Sequence, residues 1–287
     1  MPVAPVQGIQ LFYEDQGAAG DEPLLLVMGF TAQLTSWPTP FVDALVARRF
    51  RVLRVDNRDC GLSTHLDGVE VNPFEVDPSK VPYILGDMAA DLVGLLDHLD
   101  IERVHVVGAS MGGMIAQTLA LDHPPRVASL CSIMSTTGAS DVGQPTAEAV
   151  MALLTPPPAD REEALARGVA VSAVLGSKSH PEDPVNTRVR AGEAYDRAYY
   201  PEGATRQLAA MLASGDRTGR LRQLRLPTLV IHGLQDPLIQ PDGGRATAAA
   251  IPGAQLLELA DMAHDLPAHL WPALVDAIDR NARSQAP

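Results

Sequence analysis

The chain has 287 residues, is 46% hydrophobic and 20% charged, and carries a formal net charge of −13 at pH 7. That length allows one large domain or two small ones, and so acidic a chain repels phosphate backbones and anionic headgroups, which argues against nucleic acid and membrane surfaces as partners. Cys60 and Cys131 form neither a CxxC pair nor a disulfide framework, the N-terminal MPVAPVQGIQLFYED lacks the features of a secretory signal, and no apolar run is long enough to span a bilayer; a cytoplasmic setting is expected.

From the N-terminus, IQLFYEDQG mixes apolar and polar residues as an edge strand does, and Gly17 to Glu22 reads as a turn. Leu24 to Val27 is a short continuous apolar run, suited to a strand buried on both faces. FVDALVARRF places Phe41, Leu45 and Val46 on one helical stripe, and RVLRVDNRDCGLS gives a strand ending at Asp56 and a loop. Leu85 to Ile101 reads as an amphipathic helix, with Met88, Leu92, Leu95, Leu96 and Leu99 at helical spacing. RVHVVG is a buried strand, MGGMIAQTLALDHP a helix stopping before Pro124, and RVASLCSIMS another strand. This alternation predicts a mostly parallel sheet with helices on both faces.

The alternation then breaks. Residues 137–220, rich in alanine, charge and proline, show no buried strand and read as short helices. Sheet character returns in LPTLVIHG and AQLLELA, and LWPALVDAIDRNAR is a closing helix. The expected organisation is an α/β core of residues 1–136 and 221–287 interrupted by a helical cap, an insertion far longer than an ordinary loop.

Chemistry concentrates in VVGASMGG. Ser110, in the pattern Gly108-x-Ser110-x-Gly112, lies between a predicted strand and a predicted helix. That context reads as a nucleophile elbow, a strained turn that raises the hydroxyl above the sheet edge. The alternative is a glycine-rich turn without chemistry. A serine hydroxyl needs a base, and the base an orienting acid, in the order Ser, Asp or Glu, His along such a chain. Asp236 follows the strand LPTLVIHG, and His264 follows the last strand. Other histidines fit their places otherwise: His98 and His123 on helices, His105 and His232 in strands, His65 and His180 in polar loops, His269 at the start of the last helix. Asp261 and Asp265 sit too close to His264 in sequence to meet its ring well. The backbone N–H groups of Met111 and Phe30 are the candidate oxyanion donors, with Gly29 allowing close approach. No His/Asp cluster has metal-ligand spacing along the sequence, so no metal is expected.

With these residues placed, the chain resembles the α/β-hydrolases of the carboxylesterase type, and within them the aclacinomycin methylesterase-like group. The resemblance spans nearly the whole length and rests on VMGFTAQLTSW, RVDNRDCGLST, VHVVGASMGGMIAQ, PTLVIHGLQDPL and DMAHDLP. It implies an eight-stranded sheet with a cap between the sixth and seventh core strands and cofactor-free cleavage of a small-molecule carboxylic ester. Short to medium acyl or methyl groups and a monomer or homodimer are separate expectations. It places the nucleophile on Ser110, the acid on Asp236, the base on His264 and the oxyanion amides on Phe30 and Met111. Two departures stand out: Met28-Gly29 replaces the common His-Gly, and Asp59 stands where glycine is usual. Asp56, Arg58 and Ser63 are expected to brace loops. Trp37, Met134, Tyr195, Tyr199, Tyr200, Met211 and Leu238 are candidate pocket residues beside Gly29, with helix packing against the core an equal alternative for most of them. The same constellation would also serve a proline iminopeptidase, a carbon–carbon hydrolase of diketones or a perhydrolase, and the scaffold also suits a noncatalytic binding protein.

Overall fold

Gln7 and Gly8 both have positive φ, 44° and 84°, the twist of a two-residue hairpin turn. Strand β1 (Val3–Val6) therefore folds straight back on β2 (Ile9–Gln16), with Val6 opposite Ile9. This computed structural model describes residues 2–284. The chain continues through β3 (Glu22–Val27), α1 (Thr39–Val46), β4 (Phe50–Val55), α2 (Leu85–His98), β5 (Val104–Ala109), α3 (Met111–Asp122) and β6 (Val127–Ile133). Helices α4 (Ala147–Leu153), α5 (Arg161–Leu175), α6 (Pro184–Arg197), α7 (Gly203–Ser214) and α8 (Thr218–Leu221) follow with no strand among them. The chain closes through β7 (Thr228–Gly233), α9 (Pro241–Ala250), β8 (Gln255–Leu259) and α10 (Trp271–Ala282).

The eight strands form one sheet in the order β1-β2-β4-β3-β5-β6-β7-β8. Only the pairs made by β2 are antiparallel; from β4 to β8 every pair is parallel. Both faces are covered, and β3 shows it. Leu25 and Val27 pack with Leu92, Leu95, Ile115 and Leu119 of α2 and α3, while Leu24 and Leu26 pack with Phe41, Leu45, Leu274 and Ile278 of α1 and α10. A strand whose alternate residues enter two cores must be apolar throughout. Cys60 and Cys131 are both buried and unpaired. No helix among the described residues is long and apolar enough to cross a membrane.

Two boundaries differ from the sequence reading. Residues Ile9–Gln16 are not an edge: β2 lies between β1 and β4, and its polar end is satisfied across the strand pair, Glu14 by Arg54 and Asp15 by Arg51 (Nη2–Oδ2 2.6 Å). Polarity there reflects ion pairing across the strand pair as well as solvent exposure. The helix expected to reach Ile101 stops at His98. Asp100 takes φ 53°, its N–H donates to the Asp97 carbonyl (3.2 Å), and the Ile101 N–H donates to the Leu96 carbonyl (2.8 Å). This is a Schellman end with aspartate in the left-handed position usually held by glycine.

Candidate active site

The turn from β5 into α3 admits no side chain at its flanks. A Cβ on Gly108 would lie 2.1 Å from the Gly112 carbonyl oxygen, and one on Gly112 would lie 2.1 Å from the Val27 carbonyl oxygen of β3. Ser110 between them is held at φ 56°, ψ −122°, a strained conformation for an L-residue. Gly113 lies against Ser132 and Ser135, so α3 starts close to the end of β6.

The loops after β7 and β8 bring two distant side chains to this serine. His264 Nε2 is 3.0 Å from Ser110 Oγ, and His264 Nδ1 is 2.8 Å from Asp236 Oδ2. A carboxylate only accepts, so Nδ1 carries the ring proton and Nε2 is left to accept from the serine hydroxyl. Asp236 is buried, and its other oxygen accepts from the N–H groups of Leu238 (2.8 Å) and Ile239 (2.9 Å). Burial alone would raise its pKa. The adjoining His264 and His232 rings and the Ile239 N–H, which favour the ionised carboxylate, outweigh that and hold the carboxyl well below the usual carboxylate range.

His232, read from sequence as a packing histidine, is fully buried beside this carboxylate, with Nε2 2.7 Å from the Ile239 carbonyl and 3.5 Å from Asp236 Oδ2. Its contact with the carboxylate follows from the loop turning back on β7, which no local pattern reveals. His105 instead bonds Ser129 (2.9 Å), and burial pushes its pKa down.

The loop after β3 passes over the serine. A Cβ on Gly29 would lie 2.9 Å from Ser110 Cβ and 3.4 Å from Ser110 Oγ. Among the described residues, the Phe30 and Met111 N–H groups find no acceptor, which leaves both amides free for a ligand oxygen. Sequence reasoning left open what braces this loop without the common histidine. Asn57 Nδ2 donates to the Met28 carbonyl (2.9 Å). From α7, the fully buried Gln207 accepts the Thr31 N–H (2.8 Å) and donates to the Arg58 carbonyl (2.9 Å). Gln33 donates to the Ala194 (2.7 Å) and Ala198 (2.9 Å) carbonyls and accepts from Arg197 (2.6 Å).

Asp56, Arg58 and Ser63 do brace loops. Asp56 accepts from Leu34 (2.7 Å) and Leu62 (2.9 Å) N–H groups, Ser63 donates to the Asp56 carbonyl (2.6 Å), and Arg58 grips Asp91 through two 2.7 Å bonds. Asp59, the departure from glycine, has φ 62° and is buried. Its carboxylate takes two bonds from Arg206 of α7 (2.8 and 2.9 Å) and one from the Tyr83 hydroxyl (2.8 Å). The backbone shape that suits glycine is kept, and the added side chain ties the loop to α7.

The expected pocket residues divide. Gly29 and Leu238 adjoin Ser110 and Asp236 as described, and Met134, buried at the end of β6, belongs to the core cluster of α1 and α10. Trp37 is a correction: fully buried, it stacks on Phe41 at 5.8 Å, because the apolar stripe of α1 needs a partner. Tyr199 is another: it is exposed, stacks on Tyr195 at 4.6 Å and donates to the Pro158 carbonyl (2.6 Å). Tyr200 joins the Arg206 network (2.6 Å), and Met211 packs against the α2–α3 core. Away from this site, folding gathers His180, Asp261 and His269, which their sequence positions do not suggest.

The sequence matches the alpha/beta hydrolase fold family over residues 22–267, and the chain belongs to that family. It is 31% identical over 297 residues to the rhodomycin D methylesterase DnrP of Streptomyces peucetius, with 96% of each chain covered. It is 32% identical over 242 residues to a 2-hydroxy-6-oxononadienedioate/2-hydroxy-6-oxononatrienedioate hydrolase of Cupriavidus pinatubonensis, covering 83% of this chain and 78% of that one. The enol-lactonase from Burkholderia xenovorans LB400 superposes with a TM-score of 0.77 at 25% identity, covering 99% of this chain and 100% of its own. The resemblance to methylesterases read from the motifs stands in the first of these relatives.

Proposed function

We propose that this protein cleaves carboxylic esters, methyl esters among them, through an acyl-enzyme on Ser110. The observation that carries the reading is the unbroken relay of Ser110 Oγ, His264 and Asp236, at 3.0 and 2.8 Å, beneath two unengaged backbone amides. His264 Nε2 takes the hydroxyl proton as Ser110 Oγ attacks the ester carbonyl. The Phe30 and Met111 N–H groups donate to the oxyanion. The tetrahedral intermediate collapses, the carbon–oxygen bond to the alcohol breaks, and the alcohol leaves with the proton from His264. A water molecule, deprotonated by the same ring, then releases the acid and restores the serine. Asp236 holds the ring tautomer and stabilises the imidazolium. The helical segment 137–220 serves as a cap, and the bonds from Gln33 to the end of α6 and from Gln207 of α7 to Thr31 and Arg58 support that role.

The methylesterase relative, matched over nearly its full length, supports an alkyl ester substrate. A second reading, cleavage of a carbon–carbon bond in a diketone, has the Cupriavidus relative in its favour and would use the same three side chains. Ser110→Ala is expected to lower turnover of a p-nitrophenyl ester by about 10⁴-fold or more and to remove any burst. Retention of most activity refutes the assignment. Turnover of methyl esters rather than vinylogous diketones separates the two readings, and labelling by a fluorophosphonate separates both from a noncatalytic binding protein.

A further inference from the structure

The structure assigns a divalent transition-metal site to His180, Asp261 and His269, on the face where the α5–α6 connector meets the loop that carries His264. One ligand atom from each of the three side chains lies within 4.8 Å of the others, and all three residues are exposed. The two imidazole rings have centroids 3.9 Å apart and are inclined at 35°. Donor atoms around a tetrahedral zinc ion sit about 3.4 Å from one another. All three side chains face solvent, so the difference is one that rotation about χ1 and χ2 would have to close. Two imidazoles and one carboxylate suit zinc and its first-row neighbours, whereas calcium and magnesium take oxygen ligands almost exclusively. The chain's net charge of −13 adds a general attraction for cations.

The framework beneath these side chains is fastened. His180 ends a segment whose residues bond to the loop holding Asp261. Gln235 accepts the Lys178 N–H (2.8 Å) and donates to Ser179 Oγ (2.7 Å) and to the Ala260 carbonyl (2.8 Å). Asp265 accepts the Ser177 N–H (3.0 Å) and hydroxyl (2.5 Å), Ser177 Oγ accepts the Ala263 N–H (3.0 Å), and the His264 N–H donates to the Leu175 carbonyl (3.0 Å). His269 lies in the short helical turn Ala268–Leu270 that follows. Two of the three ligands are therefore held on segments already bonded together, and little backbone ordering is left for binding to supply. A bound ion adds a cross-link between the α5–α6 connector and the loop of residues 260–265. It lies outside the relay of Ser110, His264 and Asp236 and takes no part in ester cleavage.

The test is calorimetric titration of the chelator-treated full chain with zinc chloride near neutral pH, alongside thermal melting with and without the metal. One-to-one binding and a raised melting temperature are expected, with neither produced by magnesium or calcium. His180→Ala and His269→Ala should each weaken binding at least about tenfold, since loss even of outer partners of a metal ligand costs that much. Both residues are exposed, so each variant's melting temperature without metal should match the parent's, which separates ligand loss from misfolding. Cobalt(II) should give the strong visible absorption of a tetrahedral site in the parent and lose it in both variants. No saturable binding, or binding unchanged in both variants, overturns the assignment and leaves a stacked surface pair of histidines.

Discussion

Ser110 holds a backbone conformation that costs an L-residue on the order of 1–3 kcal/mol, and the turn offers it no alternative. Glycine adopts such angles without penalty. Ser110→Gly is therefore expected to be more stable than Ser110→Ala by about 1 kcal/mol, after the larger entropy loss of glycine on folding, while both are inactive. Urea unfolding of the pair measures the difference, and equal midpoints would show that the turn stores no strain. At this scale the sequence was informative where chemistry leaves a local mark. Gly108 and Gly112 announce a turn without room, Asp236 follows a strand that reads as buried, and His264 follows the last strand. It was silent on Gln207, Gln33 and His232, whose partners lie up to 176 residues away or across a loop whose path no local pattern fixes. Trp37 and Tyr199 misled because an aromatic residue has the same identity in a core, on a surface and in a pocket.

Among the elements, α7 has the widest reach. Gln207 holds the Thr31 N–H, next to the Phe30 amide, and through its other end the Arg58 carbonyl, while the neighbouring Arg206 is bound to Asp59. Hydrogen bonding to Asp59 pushes the Arg206 pKa further up despite burial, so the guanidinium stays charged. Gln207→Ala removes the bond to the Thr31 N–H in the loop that carries the Phe30 amide and leaves Ser110, His264 and Asp236 in place. A fall in kcat of about 10–100-fold with a smaller change in KM is expected, since a displacement near 1 Å at such a site costs about that much. Steady-state kinetics on a p-nitrophenyl ester checks it, and an unchanged kcat would make Gln207 a packing residue only. The parallel core was readable because β3, β5 and β6 enter two hydrophobic layers and are largely apolar on both faces. The interior position of β2 was not, because its acids answer arginines of β4. The end of α2 was missed for a related reason: Asp100 fills a left-handed position for which glycine is the usual signal.

For the molecule as a whole, proton binding couples stability to pH. Asp236 titrates below the ordinary carboxylate range when folded, so the unfolded chain binds its proton more readily. Its contribution is complete above about pH 4, the ordinary aspartate value, and is lost as the pH falls through that value towards the native one. Asp91 acts in the opposite sense, because burial raises its pKa more than Arg58 lowers it. Urea midpoints measured against pH should decline less steeply below about pH 4 in Asp236→Asn than in the parent; parallel curves would assign the acid limit to other groups. Cys60 and Cys131 extend the same reasoning to covalent chemistry. Burial drives both thiols far above their normal titration range, so the folded chain offers a disulfide reagent no thiolate to react with. Any sulfur that becomes labelled records an opening event, and the native molecule thereby carries its own clock for transient exposure of its interior.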